Sequence, residues 1–317
     1  MTRAWLKPLG LLLALVAAAA FVRYASHALA GTDVSALLNR RVIAACSALT
    51  LLYALLIPTS AIAWRWLLRT MGGSIEYTKA LGIMALTQFG KYLPGNVAQH
   101  IGRVALLNRQ GVAMPTVLFS IAYEMLLTMV ACAHLGALTF LWAPPAALAA
   151  RSIAQWRFPL IVFVTLGAVI ALLAAPRLAA WLARRRGGAK EALSRLHLDV
   201  PTVAGCYAIY AANFLIVGAG LWLVSRVLTP TGAAPGVVFL TGAFAGSWIL
   251  GFMAPGAPAG LGIREALLSA WLSGSMQASE IVVLVVILRI ATSLGDLLNF
   301  LIGGILLRHD ARAKHSA

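Results

Sequence analysis

Acidic residues are scarce in this chain: nine Asp plus Glu stand against 25 Lys plus Arg in 317 residues, and charged residues of both signs make up only 11%. A soluble domain carries about a quarter charged residues, so a soluble globular fold is excluded. Cysteine is scarce as well. Cys46, Cys132 and Cys206 each fall inside an apolar run, with no Cys-x-x-Cys pair and no His at ligand spacing, which argues against a disulfide framework or a structural zinc. Gly-x-Ser-x-Gly, paired aspartates, His-Glu-x-x-His and the Gly-x4-Gly-Lys-Ser/Thr phosphate loop do not occur. The segment GLGIRE at 260–265 lacks the third glycine and the strand of a dinucleotide fingerprint. An enzyme is therefore not expected, nor is a cofactor, a metal or direct use of ATP.

What the chain does hold is apolar length. It is 61% hydrophobic with a mean hydropathy of +0.89, and a bilayer core about 30 Å thick takes roughly 20 apolar residues per helix. Six spans are predicted, at about 8–24, 43–64, 115–143, 158–176, 202–225 and 279–307, in a single all-α polytopic membrane domain. The first resembles a signal peptide, with Ala28-Leu29-Ala30 as a cleavage-like site, but the many later spans favour an uncleaved helix. The net charge of +16 lies mostly at span ends, which points to topology and anionic lipid headgroups rather than nucleic acid. The strongest basic segment, with Arg177, Arg184, Arg185, Arg186, Lys190 and Arg195, is expected in the cytoplasm, and counting spans from it puts both termini there too, in the inner or plasma membrane.

That threading requires 78–113 and 236–275 each to enter the membrane and turn back. Both are apolar but broken by Pro-Gly, and irregular backbone at membrane depth survives only where protein buries it or a cavity wets it. Pro-Gly, seven residues, Arg, one residue, Ala-Leu-Leu occurs twice: Pro94, Gly95, Arg103 and Ala105 to Leu107, then Pro255, Gly256, Arg264 and Ala266 to Leu268. Three spans lie between the copies, so the hairpins would open to opposite sides as an inverted repeat, the plan of many transporters. The repeats are placed at about 43–143 and 202–307, with a basic linker at about 177–200.

Along AWRWLLRTMGG (63–73), KYLPGNVAQHIGRVALL (91–107) and PGAPAGLGIREALL (255–268), the sequence resembles the flippase-like transmembrane family typified by the membrane half of lysylphosphatidylglycerol synthase. The resemblance covers nearly the whole chain. It implies a helical membrane fold that moves, or helps to move, lipids with charged or glycosylated headgroups between leaflets. Its implied headgroup residues are Lys91, Pro94, Gly95 and Arg103 in the first motif, and Pro255, Gly256, Gly262, Arg264 and Glu265 in the second. The chain departs from the two-part synthase by ending at 317 with no aminoacyl-transferase domain, so aminoacyl-lipid synthesis is not expected of it.

Arginine suits such a task because its planar fork binds phosphate oxygens bidentately and stays charged. Asn96 is expected to cap a helix running to about 108 and showing His100 and Arg103 on one side; a matching helix after Gly262 would carry Arg264. The bland alternative is that both arginines snorkel to the interface. Glu124, Arg289 and Asp296 sit mid-span, where each costs roughly 2.5–3.5 kcal/mol. Glu124 and Arg289 are expected to pair, or Glu124 to carry a coupled proton; Arg289 and Asp296, seven apart, share a helix face. Trp64, Trp66, Tyr92 and Trp248 are read as interfacial anchors. The expected partners are anionic lipids, and the competing reading is a non-transporting protein that presents a lipid carrier to a glycosyltransferase or other cell-envelope enzyme.

Overall fold

The computed structural model describes residues 22–23, 26–27, 29–30, 39–92, 97–142, 156–185, 199–229, 234–253 and 260–315. Ten helices are named here: α1 (Arg40–Ala54), α2 (Leu56–Thr70), α3 (Tyr77–Thr87), α4 (Ala98–Asn108), α5 (Met114–Trp142), α6 (Arg157–Arg185), α7 (Val200–Leu228), α8 (Val237–Met253), α9 (Ile263–Leu272) and α10 (Ala278–His315). A short 3-10 turn, Gln88–Tyr92, follows α3. Among the described residues, α1 with α2, α5, α6, α7 and α10 supply five helical stretches long and apolar enough to cross a membrane. The protein is an all-α polytopic membrane protein. Five of the six predicted spans are thus present, and the first, at about 8–24, lies almost wholly outside the described residues, as does most of the basic linker.

Capping and proline chemistry set several boundaries. Asn39 Oδ1 accepts from the Arg41 and Val42 N–H groups and starts α1. Asp199 caps α7 through the Thr202 N–H, with Pro201 in its first turn. The span through 40–70 is interrupted at Leu55, a break the sequence reading did not place. Pro58 has no N–H to return to the Ala54 carbonyl, which instead accepts from Asn299 Nδ2 of α10 at 3.2 Å. The kink thereby gains a partner in the last helix, and Asn299 is buried.

The two broken segments form short helices. At about 1.5 Å per residue, α3 and α4 are each about 16 Å long, roughly half the apolar thickness. Packing is crosswise: α3 lies on α10, α8 lies on α5, and α1 and α2 lie along α7. The first helix of each hairpin thus packs on the last long helix of the other half of the chain. Glycine permits both contacts. A Cβ on Gly303 would come within 2.5 Å of the Leu86 backbone nitrogen in α3, and one on Gly136 within 3.5 Å of the Gly246 backbone in α8. Where apolar burial gives little preference for protein over lipid, such backbone approach supplies the dispersion contacts that hold helices together.

Helix α6 stands apart. Phe158, Phe163 and Ile170 are widely exposed on it, as a lipid-facing helix requires. Two polar contacts hold it to α5: the Tyr123 hydroxyl donates to the Leu172 carbonyl at 2.8 Å, and His134 Nε2 lies 3.1 Å from Thr165 Oγ1.

Candidate functional site

Both hairpins deliver their charged residues to one cavity of about 210 Å³. Its wall includes Lys91, His100, Arg103, Glu124, Arg264, Glu265, Arg289 and Asp296, residues that the sequence motifs and the mid-span charges had suggested separately. Gly262 is not part of that wall but sets the start of α9. Pro94, Gly95, Asn96, Pro255 and Gly256 lie outside the described residues. The remaining wall is largely apolar, with Leu56, Ile57, Met84, Phe214, Phe244 and Leu288 among its members.

Three ion pairs organise the charge. On α4, Arg103 Nη1 meets Glu124 Oε2 of α5 at 2.7 Å, with both residues buried. In the second hairpin, Glu265 of α9 pairs with Arg289 Nε of α10. Lys91 reaches Asp296 on α10, at 2.6 Å from Oδ2 and 2.8 Å from Oδ1, and also donates to the Tyr53 hydroxyl at 3.1 Å. The Tyr92 hydroxyl donates to Asp296 Oδ2 at 2.6 Å. The expected Glu124–Arg289 pair is therefore corrected: each finds its partner within its own half of the chain, because the adjacent hairpin helix brings an opposite charge closer. The shared face of Arg289 and Asp296 is present, and both line the cavity.

The equal Pro-Gly-to-Arg spacing hides unequal geometry. Helix α4 begins at Ala98, with Val97 at the cap position and no side-chain cap bond, so the cap expected at Asn96 is displaced by one residue. Helix α9 begins only at Ile263. Gly260 and Gly262 hold φ values of +69° and +79°, outside the right-handed helix and costly for a residue with a Cβ. The chain cannot become helical until it has passed them. Arg103 consequently sits in the second turn of α4 and Arg264 in the first turn of α9, beside its free N–H groups and positive dipole end.

Each motif arginine lies over an indole: Arg103 Cζ is 5.3 Å from the Trp64 ring centroid and Arg264 Cζ is 5.3 Å from that of Trp248. This corrects the reading of these tryptophans as interfacial anchors. Trp64 is fully buried and donates to Ser120 Oγ at 3.1 Å, while Trp248 lines the cavity and stacks on Phe252 at 5.1 Å. Burying an indole under a guanidinium desolvates both and makes the cation–π contact worth more than at a surface. Tyr92 is likewise committed to Asp296. Trp66 remains partly exposed, with a Cβ on Gly205 of α7 placed 3.0 Å from its ring.

Arg264 differs from the other cations of the wall. It makes no ion pair among the described residues, and its buried Nε has no hydrogen-bond partner. Its stem is confined: a Cβ on Gly251 would lie 2.5 Å from Arg264 Cγ, and one on Gly260 would lie 2.8 Å from Nε. His100 Nδ1, Arg103 Nε, Tyr210 Oη, Glu265 Oε2 and Arg289 Nη2 are also buried without partners. Buried polar atoms are nearly always satisfied, so this group of orphans around one cavity leaves hydrogen-bonding capacity there for water or a polar ligand. Spacing had no means of finding Tyr53, Tyr210 or the two indoles, because aromatic residues recur throughout the chain without a motif.

Fold and site together define a polytopic helical membrane protein with an amphipathic cavity between two broken hairpins. The chain belongs to the family of the lysylphosphatidylglycerol synthase transmembrane region, whose model matches residues 9–298. No curated protein matches it.

Proposed function

We propose that this protein is a translocase that carries an anionic or glycosylated lipid headgroup between leaflets, with no catalytic role of its own. The observation that carries this reading is Arg264: a cation without a carboxylate partner among the described residues, held between two glycines and an indole at a helix N-terminus, facing a cavity with a largely apolar wall. A bare phosphate would meet a prohibitive desolvation cost in hydrocarbon, and fixed donors must replace its water. Arg264 and the start of α9 supply such donors, while the apolar wall suits the first carbons of an acyl or prenyl chain. Crosswise packing of the hairpins supports an inverted repeat whose halves expose the cavity to one side and then the other. The Lys and Arg bias supports cytoplasmic termini, and an enzyme of the cell envelope is the natural supplier or user of the lipid.

Leaflet exchange of labelled anionic and glycosylated lipids in liposomes holding the purified protein tests this. Exchange should be selective and lost in Arg264→Gln, while Trp66→Leu, outside the cavity, retains it. Lipid bound without exchange across the panel would replace the translocase with a protein that only presents the lipid. The inverted repeat has its own test. Cysteines placed at the exposed Val97 and Leu261, in a chain freed of its own three, should react with an impermeant reagent from opposite sides. Reaction of both from the same side sinks the inversion.

A further inference from the structure

We propose that the cavity selects a lipid whose headgroup is a single phosphodiester bearing an uncharged, hydroxylated substituent, a polyol or a sugar; this rests on reading the cavity as a headgroup site. Charge is the first argument. Although the chain carries +16 overall, the described residues of the cavity wall hold four cations and three carboxylates. The segments 93–96 and 254–259, Leu-Pro-Gly-Asn and Ala-Pro-Gly-Ala-Pro-Ala, add no ionisable side chain. With each of these carboxylates engaged by a cation, one positive charge remains among the described residues, on Arg264. In a medium of low dielectric an uncompensated charge is costly, so the matching ligand carries one negative charge. A phosphodiester has one; a phosphomonoester or a pyrophosphate approaches or exceeds two, and a zwitterionic or aminoacylated headgroup has none or the wrong sign.

The second argument is the mixture of orphans. Arg264 Nε and Arg289 Nη2 are donors, Glu265 Oε2 is an acceptor, and the Tyr210 hydroxyl can be either. Hydroxyl groups, which both donate and accept, satisfy such a set. An ammonium would satisfy only the acceptors, Glu265 Oε2 and the Tyr210 oxygen, would leave both guanidinium donors unmet, and would sit beside the guanidinium paired to that carboxylate and that of Arg264. Trp248 and Phe252, stacked at 5.1 Å on the same wall, offer an apolar face to the C–H groups of a ring or polyol.

Competitive binding to the purified full chain in neutral detergent, read by native mass spectrometry, tests the proposal with four lipids of identical acyl chains: phosphatidylglycerol, phosphatidylethanolamine, phosphatidic acid and lysylphosphatidylglycerol. Phosphatidylglycerol should be retained about tenfold over the zwitterion and the cationic lipid, equivalent to about 1.4 kcal/mol. Arg264→Gln should erase that preference and Arg264→Lys should keep its order. Glu265→Gln, which raises the cavity by one charge, should move phosphatidic acid to first place. Retention of phosphatidylethanolamine or lysylphosphatidylglycerol equal to or above that of phosphatidylglycerol overturns the charge match while leaving the headgroup site standing, as does an order indifferent to both substitutions. Failure of all four lipids to bind overturns the headgroup site and the charge match together.

Discussion

The two hairpins share a motif but not an electrostatic outcome. In the first, Arg103 reaches sideways from the second turn of α4 and is neutralised by Glu124. In the second, the neighbouring Glu265 is spent on Arg289, and Arg264 at the first turn of α9 has no ion pair among the described residues. Two arginines at the same distance from a Pro-Gly break are thus placed differently: both line the cavity, but one is tied to a carboxylate of the scaffold and the other is not paired among the described residues. The difference traces to two glycines in left-handed conformation, Gly260 and Gly262, which delay the second helix and have no counterpart between Gly95 and Gly102.

The largest expected effect comes from breaking the fastened side. Glu124→Ala leaves a buried guanidinium without its counter-ion, a change that costs about 3–5 kcal/mol. Thermal unfolding in detergent should show a large loss of stability, and Arg103→Met combined with Glu124→Leu should recover most of it, since apolar residues of similar volume replace a buried pair at little cost. Arg264→Met should behave in the opposite way, with stability nearly unchanged and lipid binding lost. If Arg264→Met unfolds the protein as readily as Glu124→Ala does, the two hairpins are equivalent and the division of labour fails.

Much of this was legible in the residues. Spans and hairpins follow from hydropathy, length and the Pro-Gly breaks, because a bilayer leaves few alternatives to a helix. Mid-span charges are costly enough to announce themselves, and Glu124, Arg289 and Asp296 all reach the cavity. Their partners were not legible. Pairing depends on which helix end lies within a few ångströms of which side chain, and the start of α4 at Ala98 against that of α9 at Ile263 changes this without changing any spacing. The burial of Trp64 and the place of Trp248 on the cavity wall were hidden for a related reason: an indole near a span end looks the same whether it meets headgroups or a guanidinium. The break at Leu55 required knowledge that Asn299 would donate to the Ala54 carbonyl.

A smaller effect separates the two indoles. Trp64 is fully buried and hydrogen-bonded to Ser120, so Trp64→Ala should cost about 3–5 kcal/mol of stability, as for other buried aromatics. Trp248→Leu keeps most of the apolar wall and removes the face under Arg264, a contact worth about 0.5–2 kcal/mol. Titration with phosphatidylglycerol should therefore show affinity falling by between about twofold and thirtyfold, with the melting temperature little moved. A large stability loss in Trp248→Leu would mean that the indole supports the fold rather than the arginine.

The smallest effect is also the most discriminating, because it changes one methyl group in each hairpin. A Cβ on Gly102 would sit 2.8 Å from Thr87 Cγ2, where α4 meets α3; a Cβ on Gly251 would sit 2.5 Å from Arg264 Cγ. Both positions are helical, so Gly→Ala gains up to about 1 kcal/mol of helix propensity in each, and the steric consequences differ. In Gly102→Ala the contact strains hairpin packing, which registers in unfolding and leaves lipid affinity alone. In Gly251→Ala the methyl meets Arg264 Cγ, near the root of the side chain, so Arg264 must change rotamer and leave the face of Trp248 while the helix contacts of the hairpin stay as they are. Affinity for phosphatidylglycerol should fall a few-fold with stability held or slightly raised. If the Gly251→Ala protein instead binds normally, Arg264 has freedom that its glycine sleeve does not suggest, and its fixed placement ceases to support the proposal that this arginine, rather than Arg103, takes the headgroup.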